Sequence, residues 1–364
     1  MAHLPRLLDA VGQRCPIHVV VQRATATPQL RHARSLVVQR PGSHLRRAAE
    51  LVLIARRLRN HGCRKFFVRI STSAALTLGL AAPFLDLQVY YWQSGQASRL
   101  RPAWQLSIRR RLRFELDLLL QRLAMRLAHR FVTGPESMAR WYAQHMGTNL
   151  CSTVVLYNDV GEVTSALDPA TSRKTLRERF GLPPGAPVVV FLGRVSPLKG
   201  GHHLPALAAA LGTRIPSVRL LVVGQIHLTE VPSETARRAP GVAVFAGPLA
   251  NAEARLILAG ADVFVLPSES EGFPRVVLEA MAVGLPVIAF DVGGVRDIMP
   301  PSLHRFIVRP RDVEAMAAAA ASLLQDPTLR QQASTAMQAA LPPYTTEAVA
   351  DMFVSRIVRE QAAS

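Results

Sequence analysis

Short apolar runs alternate with amphipathic helical patterns through the second half of the chain. Runs rich in β-branched residues predict strands, and apolar positions at helical spacing between them predict helices. The predicted strands are 187–193, 219–224, 242–247, 261–268 and 285–290, and the predicted helices are 202–214, 251–260 and 274–284. Continuous apolar strands joined by helices are typical of a parallel sheet covered on both faces, which binds ligands at the carboxyl ends of its strands.

The first half of the chain carries a similar but less regular α/β pattern. Its predicted elements are strands at 16–22, 34–40, 65–71, 87–95, 130–134 and 152–158 and a long helix from 103 to about 130. The uncharged run 70–85 contains Gly79 and Pro83 and is short for a membrane span. It predicts a buried strand followed by a buried helix. A turn-rich stretch, made up of 158–162 and 165–170, marks the predicted domain boundary.

Length and composition exclude several classes of protein. The 364 residues are enough for two domains, and 49% hydrophobic residues exclude global disorder. The three cysteines lie far apart, which argues against a disulfide framework or a zinc site and fits a reducing compartment. The first residues show no basic segment followed by an apolar one, so no signal peptide is expected.

The net charge of +18 is concentrated in the first half of the chain. Residues 1–160 hold 24 basic and 7 acidic residues, whereas the remaining residues are nearly neutral. Such a basic half is expected to attract an anionic surface, which could be phospholipid, nucleic acid or an acidic glycan.

The segment from Arg99 to Arg130 carries much of this charge beside apolar residues at helical spacing. A basic amphipathic helix of this kind is typical of binding to an anionic membrane surface. The alternative is a core-packing helix with a solvated basic face. Nucleic-acid binding is disfavoured because no recognised reading motif accompanies the charge and aromatic residues make up only 6%.

Two motifs follow predicted strands of the second half. In the first, Gly193 precedes Arg194, and Lys199 precedes Gly200, so two cations could neutralise a diphosphate close to the backbone. The order differs from a phosphate-binding loop of the Walker A type, in which Ser or Thr follows the lysine. The alternative is a solvated turn with two surface charges.

The second motif runs from Glu271 through Gly272, Phe273 and Pro274 to Glu279. Pro274 suits the first turn of a helix, whose free N–H groups favour phosphate. The two glutamates lie roughly 12 Å apart along that helix, and their carboxylates could accept hydrogen bonds from sugar and ribose hydroxyls. The alternatives are an acidic turn that complements the helix dipole and, for Glu279, plain surface exposure. The glycine pair 293–294 is interpreted as a structural turn, with a phosphate-side turn as the alternative.

Taken together, these motifs resemble the retaining, nucleotide-sugar-dependent glycosyltransferases of the GT-B fold, in the group 1 or family 4 class. The resemblance rests on 193–200, 222–224, 271–294 and 155–160, where Asp159 stands at a place usually held by glycine. It implies two Rossmann-like domains facing a cleft, here an N-terminal acceptor-side domain (1–160) and a donor domain (161–345). It also implies that a final helix (346–364) crosses back to the first domain and that no metal is required.

The resemblance also implies roles for particular residues. The catalytic residues would be Arg194, Lys199 and Glu271. Arg194 and Lys199 would hold the diphosphate, while Glu271 would contact the donor sugar and Glu279 the ribose. The leaving diphosphate would itself take the acceptor's proton, so stabilising that charge would be the main catalytic effect. Further donor contacts are implied for Gly193, Gly200, Gly224, Gly272, Phe273 and Pro274.

Two departures from the family pattern concern the acceptor side. The chain begins with a predicted helix, so we expect either that its N-terminus is truncated or that the N-terminal domain lacks the usual first strand and its glycine-rich loop. Gln93, followed by Ser94, stands where many relatives place a histidine, and neither residue can act as a base, although Gln93 could still hydrogen-bond a sugar. These departures motivate a rival hypothesis, a non-catalytic relative that binds sugar nucleotides as an assembly partner.

The sequence therefore predicts a cytoplasmic hexosyltransferase bound peripherally at the inner face of a membrane. It would transfer a sugar with retention from a nucleoside diphosphate to a glycan or glycolipid during envelope or exopolysaccharide synthesis. No cofactor other than this donor substrate, no metal and no nucleic-acid partner are expected.

Overall fold

The computed structural model describes residues 3–22, 28–95, 108–161 and 168–360 of the chain. It divides into two compact units. Unit 1 consists of Met1–Glu162 with Tyr344–Ser364, and unit 2 of Val163–Pro343. Every strand pair within the described sheets is parallel.

Unit 1 contains two sheets, ordered β1-β2 and β3-β4-β5-β6. Its strands are β1 (Ile17–Val21), β2 (Ala33–Val38), β3 (Lys65–Arg69), β4 (Gln88–Trp92), β5 (Arg130–Thr133) and β6 (Thr153–Val155). Its first helices are α1 (His3–Arg14), α2 (His44–Asn60), α3 (Thr72–Leu85), α4 (Ile108–Leu127) and α5 (Glu136–Met146).

Unit 2 is built on one six-stranded sheet, ordered β12-β11-β10-β7-β8-β9. The strands are β7 (Val188–Leu192), β8 (Arg219–Val223), β9 (Ala243–Gly247), β10 (Val263–Leu266), β11 (Val287–Phe290) and β12 (Ile307–Val308). Its helices are α6 (Pro169–Phe180), α7 (Leu204–Arg214), α8 (Val231–Arg238), α9 (Asn251–Gly260), α10 (Arg275–Ala282), α11 (Val295–Ile298), α12 (Val313–Gln325) and α13 (Pro327–Ala339). The strand order reverses between β7 and β10, and a ligand crevice forms at such a reversal in a doubly wound sheet.

The chain ends in unit 1 with helix α14 (Thr346–Phe353) and a π-helical turn (Val354–Val358). Unit 1 has two hydrophobic cores, and β4 contributes side chains to both. Adjacent residues of β4 enter different cores because successive side chains of a strand point to opposite faces of the sheet. Tyr91 lies in a core with residues of α2, α3 and α4, whereas Tyr90 packs with α1 and the C-terminal helices. The Tyr90 hydroxyl also donates to the Glu360 carboxylate at 2.7 Å, which ties the chain end to the sheet.

The first residues of the turn-rich stretch are held by the beginning of the C-terminal helix. Asp159 is 1% exposed and accepts a hydrogen bond from the Thr346 hydroxyl at 2.9 Å. The backbone of Asp159 lies outside the left-handed region, so this position does not require glycine. The departure from the family pattern at this residue therefore imposes no backbone strain.

The sequence predicted the α/β class correctly but placed some boundaries wrongly. The run 70–85 does not begin with a buried strand: β3 ends at Arg69, and Ile70 is 57% exposed with φ +67°. Ser71 then caps α3 by accepting from the Ala74 N–H. Residues 103–107, the start of the predicted long helix, lie outside the described residues. The rest of that prediction corresponds to helix α4. Among the described helices, none is long and apolar enough to cross a membrane.

Candidate active site

Two loops leave neighbouring strands where the order of the unit 2 sheet reverses. The loop after β7 contains Gly193, Lys199 and Gly200, and the loop after β10 runs from Pro267 to Pro274. Their backbones meet directly, since the Glu269 N–H donates to the Leu198 carbonyl at 3.1 Å. The fold thus brings both sequence motifs to one edge of the sheet.

Three glycines permit close backbone approaches around these two loops. A Cβ at Gly200 (φ +69°) would lie 1.7 Å from the Pro267 carbonyl oxygen. A Cβ at Gly224 (φ +141°) would lie 1.9 Å from the Gly193 oxygen, and one at Gly293 (φ +54°) would lie 1.5 Å from the Glu271 oxygen. All three glycines therefore serve loop packing in this structure.

Lys199 and Glu271 form an ion pair at the centre of the two loops. The lysine Nζ donates to Oε1 of Glu271 at 2.7 Å, and the Ser268 hydroxyl donates to the same oxygen at 2.7 Å. The glutamate side chain is 6% exposed and the lysine side chain 30% exposed. A buried carboxylate of this kind depends on its donors, because an unpaired buried charge is costly.

A cavity of about 260 Å³ opens beside this ion pair. Its walls include the loop residues Gly193, Lys199, Ser268, Glu271 and Phe273 and the first turn of α10, Pro274, Arg275 and Val276. Because the first N–H groups of a helix lack intrahelical acceptors, this wall favours an anion. The arrangement offers one ammonium group, one helix N-terminus and one carboxylate to a single ligand.

Arg194 and Glu279 lie outside the lining of this cavity. Arg194 is exposed on the loop after β7, where its neighbour Val195 forms an isolated parallel bridge with Ile226. Glu279 is 28% exposed, two turns into α10, with Oε1 3.7 Å from Nη2 of Arg275. Burial raises the pKa of Glu279, while the charges of Arg275 and Arg255 act in the opposite direction. The ligand roles implied for Arg194 and Glu279 stay predictions.

The acceptor-side candidates belong to unit 1. Gln93 directly follows β4, and its backbone N–H donates to the Val132 carbonyl at 2.9 Å. Gln93 and Ser94 are both partly buried. Both therefore stand at the carboxyl end of a parallel strand, which is the edge of a sheet where ligands bind.

Sequence reasoning missed two groups that shape the site. Ser268 is fully buried and supports Glu271, although its only signal was a hydroxyl three residues before the glutamate. Arg275 pairs with Glu279 at the i, i+4 spacing of a helix, which was readable once the helix was assigned.

Residues 172–339 match the family model described as glycosyl transferases group 1, which covers most of unit 2. These residues belong to that family. The surrounding chain is 30% identical over 270 residues to the 2-deoxystreptamine N-acetyl-D-glucosaminyltransferase of Streptomyces fradiae, covering 72% of this chain and 63% of that protein. It is 40% identical over 137 residues to the GDP-mannose-dependent alpha-mannosyltransferase of Mycobacterium tuberculosis, covering 38% of this chain and 33% of that one.

The group 1 domain and unit 1 together have the GT-B fold. The chain matches the crystal structure of Anabaena Alr3699/HepE in complex with UDP and glucose at a TM-score of 0.75 and 19% identity, covering 99% of this chain and 95% of that one. It matches WaaG, a glycosyltransferase involved in lipopolysaccharide biosynthesis, at a TM-score of 0.70 and 15% identity, covering 99% and 96%. By contrast, the chain spans less than two thirds of the length of the two curated relatives above.

Proposed function

We propose that this protein is a glycosyltransferase that transfers a sugar from a nucleoside diphosphate to a glycan or glycolipid acceptor with retention. The observation that carries the proposal is the Lys199–Glu271 pair, which lies beside a helix N-terminus at the strand-order reversal of a group 1 domain. Membership of that family supports a transferase reaction.

The charge of each site residue indicates which part of the donor it would contact. The diphosphate would lie against the first turn of α10, with Lys199 as a point charge and Arg194 reaching in from its exposed loop. Glu271 would accept a hydrogen bond from a donor-sugar hydroxyl through lone pairs that Lys199 and Ser268 leave open. As the glycosidic bond to the diphosphate breaks, negative charge grows on the leaving group. Cations fixed beside that charge lower the barrier.

Retention and metal independence enter the proposal through the family resemblance. In that mechanism the departing phosphate oxygen takes the acceptor's proton, so no protein base is required on the acceptor face. Gln93 fits this scheme, because an amide can position a hydroxyl but cannot remove its proton. The base and sugar of the donor are left open, since the relatives include a GDP-mannose-dependent enzyme and a neighbour in complex with UDP and glucose.

A nucleotide screen tests the donor site. We expect one of UDP, GDP and ADP to raise the melting temperature, with a further rise for one of its sugar conjugates. At a hundredfold excess over the dissociation constant, binding adds about 2.7 kcal/mol to the free energy of unfolding. Differential scanning fluorimetry followed by calorimetry measures this effect. If none of the nucleotides binds, the donor-site proposal is wrong.

In the non-catalytic alternative, the protein binds the sugar nucleotide at the same donor site but does not transfer the sugar. Gln93, in place of the histidine of many relatives, is the observation that motivates it. Release of free nucleoside diphosphate from the stabilising sugar nucleotide, in the presence of glycan and glycolipid acceptors, separates the two hypotheses. Binding without release under any acceptor would favour the assembly partner.

Helix α4 supports the further proposal that the enzyme works at an anionic membrane surface. One face of the helix packs into the core through Leu118, Ala124 and Met125. A second face leaves apolar side chains exposed at helical spacing. This exposed stripe consists of Ile108 (78% exposed), Leu112 (66%), Leu116 (53%), Leu119 (61%) and Leu123 (43%).

Arginines border the exposed stripe. At 100° per residue, Arg109 and Arg113 follow one edge, whereas Arg111 and Arg126, together with Glu115, follow the other. A stripe of leucines between cations matches a bilayer, where apolar side chains enter the acyl region and arginines meet lipid phosphates. Nucleic acid would offer the leucines no comparable apolar surface. The cytoplasmic location expected from the sequence stays a prediction.

We expect vesicles of phosphatidylglycerol and phosphatidylcholine to bind the protein through this stripe. Leu112→Ser with Leu116→Ser should weaken binding about tenfold or more, because each buried leucine is worth roughly 1.5–3 kcal/mol. The matched control, Leu45→Ser with Leu150→Ser, removes two exposed leucines outside α4 and should bind normally. Vesicle co-sedimentation measures the difference. Equal affinity for vesicles of phosphatidylcholine alone would contradict the proposal.

A further inference from the structure

Two histidines and a glutamate meet beside the donor loops, in a cluster that the proposed transfer reaction does not use. His202 and His203 end a 3₁₀ turn between the Lys199 loop and α7. Glu269 comes from the loop after β10, two residues before Glu271. The cluster is not visible as a sequence motif, because its members come from segments more than sixty residues apart.

The three side chains present their ligand atoms to one point. Nε2 of His203 lies 2.7 Å and Nε2 of His202 3.4 Å from the same oxygen, Oε1 of Glu269. All three ligand atoms lie within 4.8 Å of one another. A tetrahedral Zn²⁺ with bonds of about 2.0–2.1 Å places its ligand atoms roughly 3.3 Å apart. Only small movements would therefore seat an ion among them.

The surrounding residues hold two of these ligands and leave the third accessible. His203 is 12% exposed, and its ring meets the edge of Phe290 at a centroid distance of 5.4 Å. Glu269 is 14% exposed and is fixed by its backbone bond to Leu198. His202 is 44% exposed, which gives an ion a route from solvent and room for a water ligand.

We propose that His202, His203 and Glu269 bind a divalent transition-metal ion of the zinc class, with water in the fourth position. Two histidines and one carboxylate form a known ligand set for Zn²⁺. The ion would join the turn before α7 to the loop after β10. It takes no part in the sugar transfer, and its binding does not depend on the donor proposal.

Arg311 is the internal competitor for this ion. Its Nε donates to Oε2 of Glu269 at 3.0 Å, and its side chain is 75% exposed, so it can swing away when an ion binds. Removing this charge should strengthen metal binding about tenfold, since one cation no longer opposes another. Asparagine is the suitable replacement, because Arg311 has φ +69° and asparagine tolerates the left-handed region.

Cobalt and zinc titrations of the full-length, tag-free protein after chelator treatment test the proposal. We expect one Co²⁺ per chain with the intense visible absorption of four-coordinate cobalt, displaced by one Zn²⁺. His202→Asn and Glu269→Gln should each weaken binding at least tenfold, as measured by competition with a chromophoric chelator. The control His227→Asn removes an exposed histidine elsewhere in unit 2 and should bind like the unsubstituted protein.

Three results would overturn the inference. The first is a pale, six-coordinate cobalt spectrum, which indicates loose surface binding. The second is an unchanged affinity in His202→Asn and Glu269→Gln. The third is an Arg311→Asn variant that binds no more tightly, because the geometry requires Arg311 to compete. Circular dichroism of each variant shows whether it is folded, so that a lost site is distinguished from a lost fold.

Discussion

Lys199→Met is expected to lower the rate of sugar transfer about 10²–10³-fold, the usual effect of removing one group that stabilises a leaving anion. The lysine lines the cavity with its Nζ 2.7 Å from Oε1 of Glu271, so it is placed to contact a diphosphate that binds there. The loss should appear mainly in kcat, because negative charge on the diphosphate grows as the bond breaks. Nucleotide release from the donor identified by the screen measures this rate.

The matched control is Lys174→Met, which removes a lysine from the same unit. Lys174 is 77% exposed and lies 3.9 Å from Glu178 on the surface of α6. Its removal should leave both the rate and the melting temperature nearly unchanged. If Lys174→Met and Lys199→Met lose the same activity, the assigned role of Lys199 is wrong.

Lys199→Met also has a predictable structural cost, because it leaves Glu271 buried with Ser268 as its remaining side-chain donor in the described contacts. A buried carboxylate that loses its partner costs about 3–5 kcal/mol in the free energy of unfolding. The double variant Lys199→Met with Glu271→Gln removes the unpaired charge, so it should recover most of this stability without recovering activity. Chemical denaturation measures the stability, and a double variant that regains activity would contradict the catalytic role.

The sequence predicted the donor half well because its signals are local. Buried parallel strands are continuous apolar runs, and both motifs follow such runs directly, so the topology of the sheet had to bring Lys199 and Glu271 together. The two-residue strand β12 was missed because a run this short carries no periodicity.

Other features depend on tertiary structure and could not be predicted from local patterns. Ile70 is an apolar residue in an apolar run, yet it occupies an exposed, left-handed position, because β3 has already ended and α3 must begin. The roles of Ser268 and His203 depend on the partners that the fold gives them. Ser268 bonds Glu271 of the same loop, whereas His203 bonds Glu269 of a different loop. The apolar residues of α4 were expected to face either the core or a membrane, and the structure divides them between the core and solvent.

The loops themselves depend on Gly293, and Gly293→Ala is expected to destabilise unit 2 by about 4 kcal/mol or more. The left-handed backbone (φ +54°) costs an alanine roughly 1–2 kcal/mol. The larger part comes from the added Cβ, which would lie 1.5 Å from the Glu271 carbonyl oxygen and must push that loop away. Because the same loop carries the Glu271 carboxylate, nucleotide stabilisation should be lost as well.

Gly241→Ala separates the cost of the left-handed backbone from the cost of the steric contact of the added Cβ. Gly241 has nearly the same kind of backbone (φ +71°) in the same unit, but a Cβ there meets nothing within 4 Å. Its expected cost is therefore the conformational part alone, roughly 1–2 kcal/mol, with nucleotide binding retained. Urea denaturation and the nucleotide screen on both variants provide the comparison. If the two variants lose equal stability and both still bind nucleotide, close packing at Gly293 does not hold the Glu271 loop in place.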